Sequence, residues 1–253
     1  MVLVDGDTVA YRAAASCEPT RAKGYLEPET EAIFRANAMM IKILEACKTE
    51  DHIVYFSCTA QDNFRYKIDP FYKIKRRDIP KPTHYAPTVN TLFANWKCQL
   101  CFGYEADDGI GINYMEGDIV AANDKDLLQI AGKHYNFVKD EHHEVTDYLA
   151  QYQLWHQMLE GDASDGVVGV PGIGKVKAAR ILLGLDPREM AETVMELYDD
   201  PDRFTQNFKL LKILRSEDEY HALCHELESR TLELSEKNFS NNSPDSVPSV
   251  EKN

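Results

Sequence analysis

The chain has 253 residues, 43% of them apolar, with 28 Lys+Arg against 42 Asp+Glu for a net charge of -14. That size allows one large or two small domains with a proper core. No apolar run approaches the roughly 18 residues of a membrane span, and the acidic sum speaks against a partner bound by global charge alone.

In chain order, Val2 to Val4 reads as a buried strand ending at Asp5-Gly6. Pro28-Glu29-Thr30 starts a helix to about Lys48, with apolar positions at Ile33, Phe34, Met40, Ile41 and Leu44. Ile53 to Phe56 is the second strand. Residues 60 to 85 are polar, basic and aromatic with prolines at 70, 80 and 82, too long for a simple connection and therefore expected to be functional. A helix from about Pro87 to Lys97 follows, then a strand near Leu100 to Phe102. Glu105 to about Met115 is a helix, Asp118 to Ala122 a strand, Lys125 to Ile130 a short helix, and His134 to Val138 a strand. From Val145 the chain is helical. After about Lys237 it is rich in Ser, Asn and Pro, the composition of a disordered tail. Strands alternating with helices imply an α/β fold: a central, mainly parallel sheet flanked by helices, with its functional crevice at the strands' carboxyl ends.

Nine carboxylates fall in short motifs at such ends or at helix starts. Asp5 follows Val2-Leu3-Val4. Glu105, Asp107 and Asp108 form Glu-Ala-Asp-Asp. Asp124 and Asp126 follow Ile119 to Ala122, and Asp162 and Asp165 precede a glycine-rich hairpin. Asp62 is the uncertain ninth member. Converging carboxylates repel one another and resist desolvation, so they make sense around bound cations. Oxygen-only ligands select hard ions, two Mg2+ or Mn2+, and such a pair cleaves phosphodiesters. Helix capping or a polar turn would explain any one motif, but would have to be invoked separately for each.

Charge is unevenly spread. From Asp186 onward there are 16 acidic and 8 basic residues; up to Leu185 there are 26 and 20, and many of those acids are the proposed ligands. Phe64 to Lys81 carries seven basic residues (Arg65, Lys67, Lys73, Lys75, Arg76, Arg77, Lys81) against Asp69 and Asp78. Phe64, Tyr66, Phe71 and Tyr72 lie among them. Cations beside aromatics suit single-stranded nucleic acid, the bases stacking while cations hold the backbone. The hairpin Pro171-Gly172-Ile173-Gly174 leads into Lys175, Lys177 and Arg180. Gly169 to Lys175 satisfies G-x4-G-K, yet Val176 stands where a P-loop needs a hydroxyl. The better reading is a backbone phosphate site opened by Gly172 and Gly174 and reinforced by those three cations. Six cysteines (17, 47, 58, 98, 101, 224) are irregularly spaced, and Cys98-x2-Cys101 lacks the second pair of a zinc site. With no leader pattern before the first strand, reduced thiols in a cytoplasmic setting are expected.

From about residue 1 to 185 these motifs resemble, as an ordered set, the 5'-3' exonuclease and flap endonuclease family. That family includes the N-terminal nuclease domain of bacterial DNA polymerase I and stand-alone phage enzymes. The motifs are Val-Asp-Gly at 4 to 6, Phe-Arg at 64 to 65 with Tyr-Lys-x-x-Arg at 72 to 76, Tyr-Glu-Ala-Asp-Asp at 104 to 108, Asp-Lys-Asp-Leu at 124 to 127, and Gly-Asp-x-Ser-Asp with its hairpin at 161 to 174. The resemblance, closest to a phage-type exonuclease, implies a PIN-like or FEN-like fold with a helical arch at about 60–85 and a C-terminal helix-three-turn-helix region. The expected division is an α/β nuclease core over 1–160, a helix-hairpin-helix DNA-binding and helical region over 161–237, and a disordered tail over 238–253. Asp5, Glu105, Asp107 and Asp108 match the first metal site, and Asp124, Asp126, Asp162 and Asp165 the second. Lys73 and Arg76 match the basic pair at the scissile phosphate, joined by Arg65. Carbonyls of Gly169, Val170 and Ile173 would hold a K+ ion.

The implied activity is metal-dependent 5'-3' exodeoxyribonuclease action giving 5'-phosphate products, with 5'-flap endonuclease or RNase H-like activity beside it. The implied substrate is duplex DNA with a 5' end, nick or flap, or an RNA:DNA hybrid. The setting is the cytoplasm of a bacterium or phage-infected host, with no membrane and no protein partner indicated. One departure stands out. The family has an Asp directly after the second strand, where this chain has Ser57, and Asp62 or a water is expected to take that place. The rival reading is a structure-specific DNA-binding protein with impaired catalysis.

Overall fold

A computed structural model describes residues 1–58 and 62–241. Contacts gather the chain into two compact units, Met1–Ser216 and Glu217–Asn253. The first unit is built on a six-stranded sheet in the order β3-β2-β1-β4-β5-β6. Its strands are β1 (Val2–Asp5), β2 (His52–Ser57), β3 (Cys98–Cys101), β4 (Ile119–Ala121), β5 (Gly132–Asn136) and β6 (Glu141–Val145). The first five run parallel; β6 closes one edge antiparallel to β5.

The expected mainly parallel sheet flanked by helices is therefore present. Successive residues of β1 face opposite sides. Val2 and Val4 pack with Val9, Ala10, Ala13, Met40, Ile43 and Leu92. These come from α1 (Gly6–Ala15), α2 (Glu29–Cys47) and α5 (Tyr85–Asn95). The other face carries α6 (Ala106–Asn113). It lies so close that a Cβ on Gly109 would stand 2.4 Å from Cys101 Sγ.

Two elements were not expected. Asp5 caps α1 by accepting from Thr8 N, so a helix starts directly where the first strand ends. Strand β6, Glu-His-His-Glu-Val, exposes four of its five residues and has no apolar alternation to announce it. Of the basic, aromatic stretch, the described residues 62–84 contain two short helices, α3 (Phe64–Ile68) and α4 (Ile74–Arg77), before α5 begins at Tyr85.

A second core surrounds α7 (Asp147–Glu160), α8 (Lys175–Leu182), α9 (Pro187–Leu197) and α10 (Pro201–Leu211). It gathers Leu154, Met158, Ala178, Leu182, Met190, Val194 and Leu210 together with Tyr72. A small antiparallel pair, β7 (Gly161–Asp162) and β8 (Val167–Val168), lies between α7 and α8 in sequence. Helix α11 (Glu217–Asn241) forms the second unit's described part, and of the expected tail, 242–253 lie outside the described residues. No helix among the described residues is long and apolar enough to cross a membrane.

Candidate active site

The parallel register sets Val4 beside both Val54 and Ala121. The carboxyl ends of β1, β2 and β4 are thus level, and the residues just after them converge. Asp5 ends β1. Ser57 ends β2. Asp124 and Asp126 follow β4, and Glu105 and Asp107 open α6. Asp162 and Asp165 come from β7 and its turn.

Burial and mutual repulsion dominate the electrostatics. Asp5 is pushed up to about 7 by burial, then by Asp7 and Asp124. Asp126 is pushed up to about 7 by burial, then by Asp124 and Asp162. Asp107 is raised well above the carboxylate range by burial, then by Asp5, Asp124 and Glu105. Hard oxygen donors that bear their charge only at this cost fit a divalent cation in chemistry.

The other acids are held by the chain's own cations. Burial would raise Glu105, but Lys73 and Arg65 outweigh it and hold its carboxyl low. Lys73 Nζ lies 2.5 Å from Glu105 Oε1 and 3.7 Å from Asp165 Oδ2. Arg76 Nη2 is 2.9 Å from Asp165 Oδ1 and 3.0 Å from Ser164 Oγ. Asp162 is also buried, yet hydrogen bonds from Ser164 and the charge of Lys125 bring it down to about 2. Among the described residues no three acidic, His or Cys side chains form a ready-made metal cage, and Lys73, Arg76 and Lys125 each pair with one of the acids.

Lys73 is fixed by its backbone too. It takes left-handed angles (φ 53), unusual for a side-chain-bearing residue, and its N–H donates to Asp165 O at 2.7 Å. Tyr72, next to it and 2% exposed, donates its hydroxyl to Glu105 Oε2 at 3.2 Å and Asp165 Oδ2 at 3.0 Å. It bridges the two groups of acids. The sequence shows Tyr72 only as one aromatic among several. Lys125 and Gln157, which donate to Asp162 and Asp126, were also not anticipated. The first sits inside the Asp-Lys-Asp motif; the second carries no signal.

Two expected members stand elsewhere. Asp108 is fully buried and pairs through both oxygens with Arg65. It also accepts from Glu105 N at 3.1 Å and Leu214 N at 3.0 Å. Arg65 spends its remaining donors on Leu210 O and Lys212 O. The pair joins α3, α6 and the segment after α10 as an internal tie. Asp62 is exposed, just ahead of Asn63, which caps α3.

At the hairpin, a Cβ on Gly172 or Gly174 would meet nothing within 4 Å, so both backbones are open to a ligand. Gly172 needs that freedom for its φ of +75 as well. Lys175, Lys177 and Arg180 are exposed on α8, which begins after Gly174. Of the three carbonyls expected to hold K+, that of Gly169 accepts from the Arg203 guanidinium, and that of Val170 from Ile173 N. A cation of the chain itself serves Gly169.

Comparison with known proteins agrees with this geometry. The family model for the 5'-3' exonuclease, N-terminal resolvase-like domain, matches residues 1–156. A 5'-3' exonuclease of Halalkalibacterium halodurans is 25% identical over 92% of this chain and 84% of its own length. DNA polymerase I of Bacillus subtilis is 28% identical over 79% of this chain, which spans only 24% of that larger protein. In fold, the chain is similar to bacteriophage T5 5'-exonuclease with zinc bound (TM-score 0.63, 14% identity, 90% of this chain and 98% of that one). It is also similar to a T5 flap endonuclease in a pseudo-enzyme-product complex with DNA and metal ions (TM-score 0.60, 15% identity, 84% and 88%). With the sheet, the converging carboxylates and the family match in agreement, the chain belongs to the 5'-3' exonuclease family.

Proposed function

We propose that this protein is a divalent-metal-dependent 5'-3' exodeoxyribonuclease that also cuts 5' flaps. The observation that carries the reading is the convergence of Asp5, Asp107 and Asp126, whose charges are opposed by desolvation and by neighbouring carboxylates, beside Lys73 and Arg76. A bound Mg2+ or Mn2+ pair would supply an activated water and charge stabilisation at the leaving 3'-oxygen. Asp5, Glu105 and Asp107 would hold one ion, and Asp124, Asp126, Asp162 and Asp165 the other. Lys73 and Arg76, which pair with Glu105 and Asp165, lie where they can neutralise the phosphate in the transition state. Tyr72 keeps Glu105 and Asp165 in mutual register. The open hairpin backbone, with Lys175, Lys177 and Arg180, holds the duplex phosphates. The T5 complex with DNA and metal ions supports both the partner and the cofactor class.

Asp108 and Arg65 have a supporting part in this scheme. The test is cleavage of 3'-labelled duplex and 5'-flap DNA with Mg2+ and with EDTA. Mg2+-dependent shortening from the 5' end is expected, leaving 5'-phosphates. Tight binding without cleavage, in Mn2+ as well, would instead identify a structure-specific DNA-binding protein. An RNA:DNA hybrid in the same assay tests RNase H-like action.

A further inference from the structure

Helix α1 opens with two acids, and only one of them serves the helix. Asp5 caps it through Thr8. Asp7, one turn position on, is spared that duty and turns both oxygens away from its own helix. Asp7 Oδ2 accepts from Ser57 N at 3.0 Å, and Oδ1 accepts from Tyr85 OH at 3.1 Å. The Ser57 hydroxyl also bonds to Asp7, while its Oγ accepts from Ala106 N at 2.9 Å. A single serine thus links Asp7 to the first residue of α6, between Glu105 and Asp107.

The backbone permits this because residue 6 is glycine. A Cβ there would stand 2.7 Å from the Phe56 ring and 2.7 Å from Tyr55 O. The Asp5-Gly6-Asp7 segment is consequently pressed against the end of β2, and the Asp7 carboxylate lies over the position where β2 stops. Each of its oxygens accepts from a neutral donor, with the charge of Lys81 acting on the carboxylate from nearby, and each keeps a lone pair for another donor or a hydrated ion.

We propose that Asp7, positioned by Ser57 and Tyr85, is a further acid of the Asp5/Asp107 metal site and supplies the carboxylate that Ser57 itself lacks. This rests on the nuclease reading above. Asp7 acts on the ion's water shell or its first ligands, in the way hydrogen-bonded outer groups tune metal sites. Where the sequence pointed to Asp62 or a water, Asp7 is the carboxylate that lies directly against Ser57, while Asp62 is exposed.

The test is Mn2+ binding to EDTA-stripped full-length protein, followed by the electron paramagnetic resonance of free Mn2+ and by calorimetry, with thermal unfolding in EDTA beside it. Asp7→Asn is expected to weaken Mn2+ binding about ten- to a hundredfold. The double variant Asp7→Asn/Ser57→Asp, which moves the carboxylate one side chain across, is expected to regain most of that loss. Tyr85→Phe and Ser57→Ala keep the carboxylate but loosen it, and should weaken binding severalfold even if Asp7→Asn folds poorly. Mn2+ affinity unchanged in Asp7→Asn, Tyr85→Phe and Ser57→Ala would overturn the proposal while leaving the nuclease reading intact. Wild-type protein that neither binds Mn2+ nor cleaves DNA would overturn both.

Discussion

Asp107 and Asp108 are adjacent in sequence and opposite in character, and removing each should separate structure from chemistry. Asp108 has no exposure and Arg65 only 2%. Truncating one partner of a buried ion pair leaves the other charge stranded, at about 3–5 kcal/mol. Asp108→Ala also strips the acceptor from Glu105 N and Leu214 N, and an unmet buried donor costs about 1–3 kcal/mol. These losses overlap, so we expect about 4 kcal/mol or more, a large part of the roughly 5–15 kcal/mol that holds a domain together. Asp107→Asn has the opposite sign. Burial, Asp5 and Asp124 all oppose the Asp107 charge, so neutralising it removes repulsion. In EDTA at pH 8, urea unfolding followed by circular dichroism should show Asp108→Ala strongly destabilised. Asp107→Asn should be as stable as wild type or more so, yet inactive with Mg2+. An Asp108→Ala protein of wild-type stability that had lost divalent binding would refute the reasoning and return Asp108 to the metal set.

Two further outcomes follow from the same electrostatics. Asp5 and Asp126 are pushed from about 3.8 up to about 7 on folding, so each binds a proton on folding between those values, and that contribution to stability is lost as pH rises from about 4 to 7 and is gone above it. In EDTA, stability and Tm should fall from about pH 5 to 7, by an amount on the order of several kcal/mol in stability, and level off above about pH 8, and saturating Mg2+ should abolish the slope; a flat EDTA profile contradicts the repulsive cluster. Lys73→Ala should lower kcat by about a hundredfold or more while duplex affinity, measured by fluorescence anisotropy in Ca2+, changes little; a large affinity loss at unchanged kcat would assign Lys73 to binding.

Much of the site was legible because strand ends are legible. Val2-Leu3-Val4 and Ile119 to Ala122 announce buried parallel strands, and whatever polar residue follows them falls at the crevice. Glu105 and Asp107 could be placed by the same logic. What the sequence could not convey is direction. Asp107 and Asp108 share a motif, but a single step along α6 sends them to different neighbours, and Arg65 and Leu214, which Asp108 binds, lie far away in sequence. Asp7 was hidden by proximity to Asp5, since an acid in a helix's first turn already has an ordinary explanation. Strand β6 was hidden because an exposed edge needs no apolar alternation.

The crossing of two backbones at Gly161 and Gly169 has a mechanical meaning. A Cβ on Gly169 would stand 2.3 Å from Leu159 O and 2.4 Å from Gly161 N, so the chain leaving α7 and the chain entering the hairpin touch without any side chain between them. On one side of that weld, a residue away, is Asp162; on the other, three residues away, is Gly172. If the acids cut DNA and the hairpin grips it, as proposed, the interval between grip and cut is set by this backbone contact, a ruler that travels with the enzyme and does not depend on the sequence of the strand being measured.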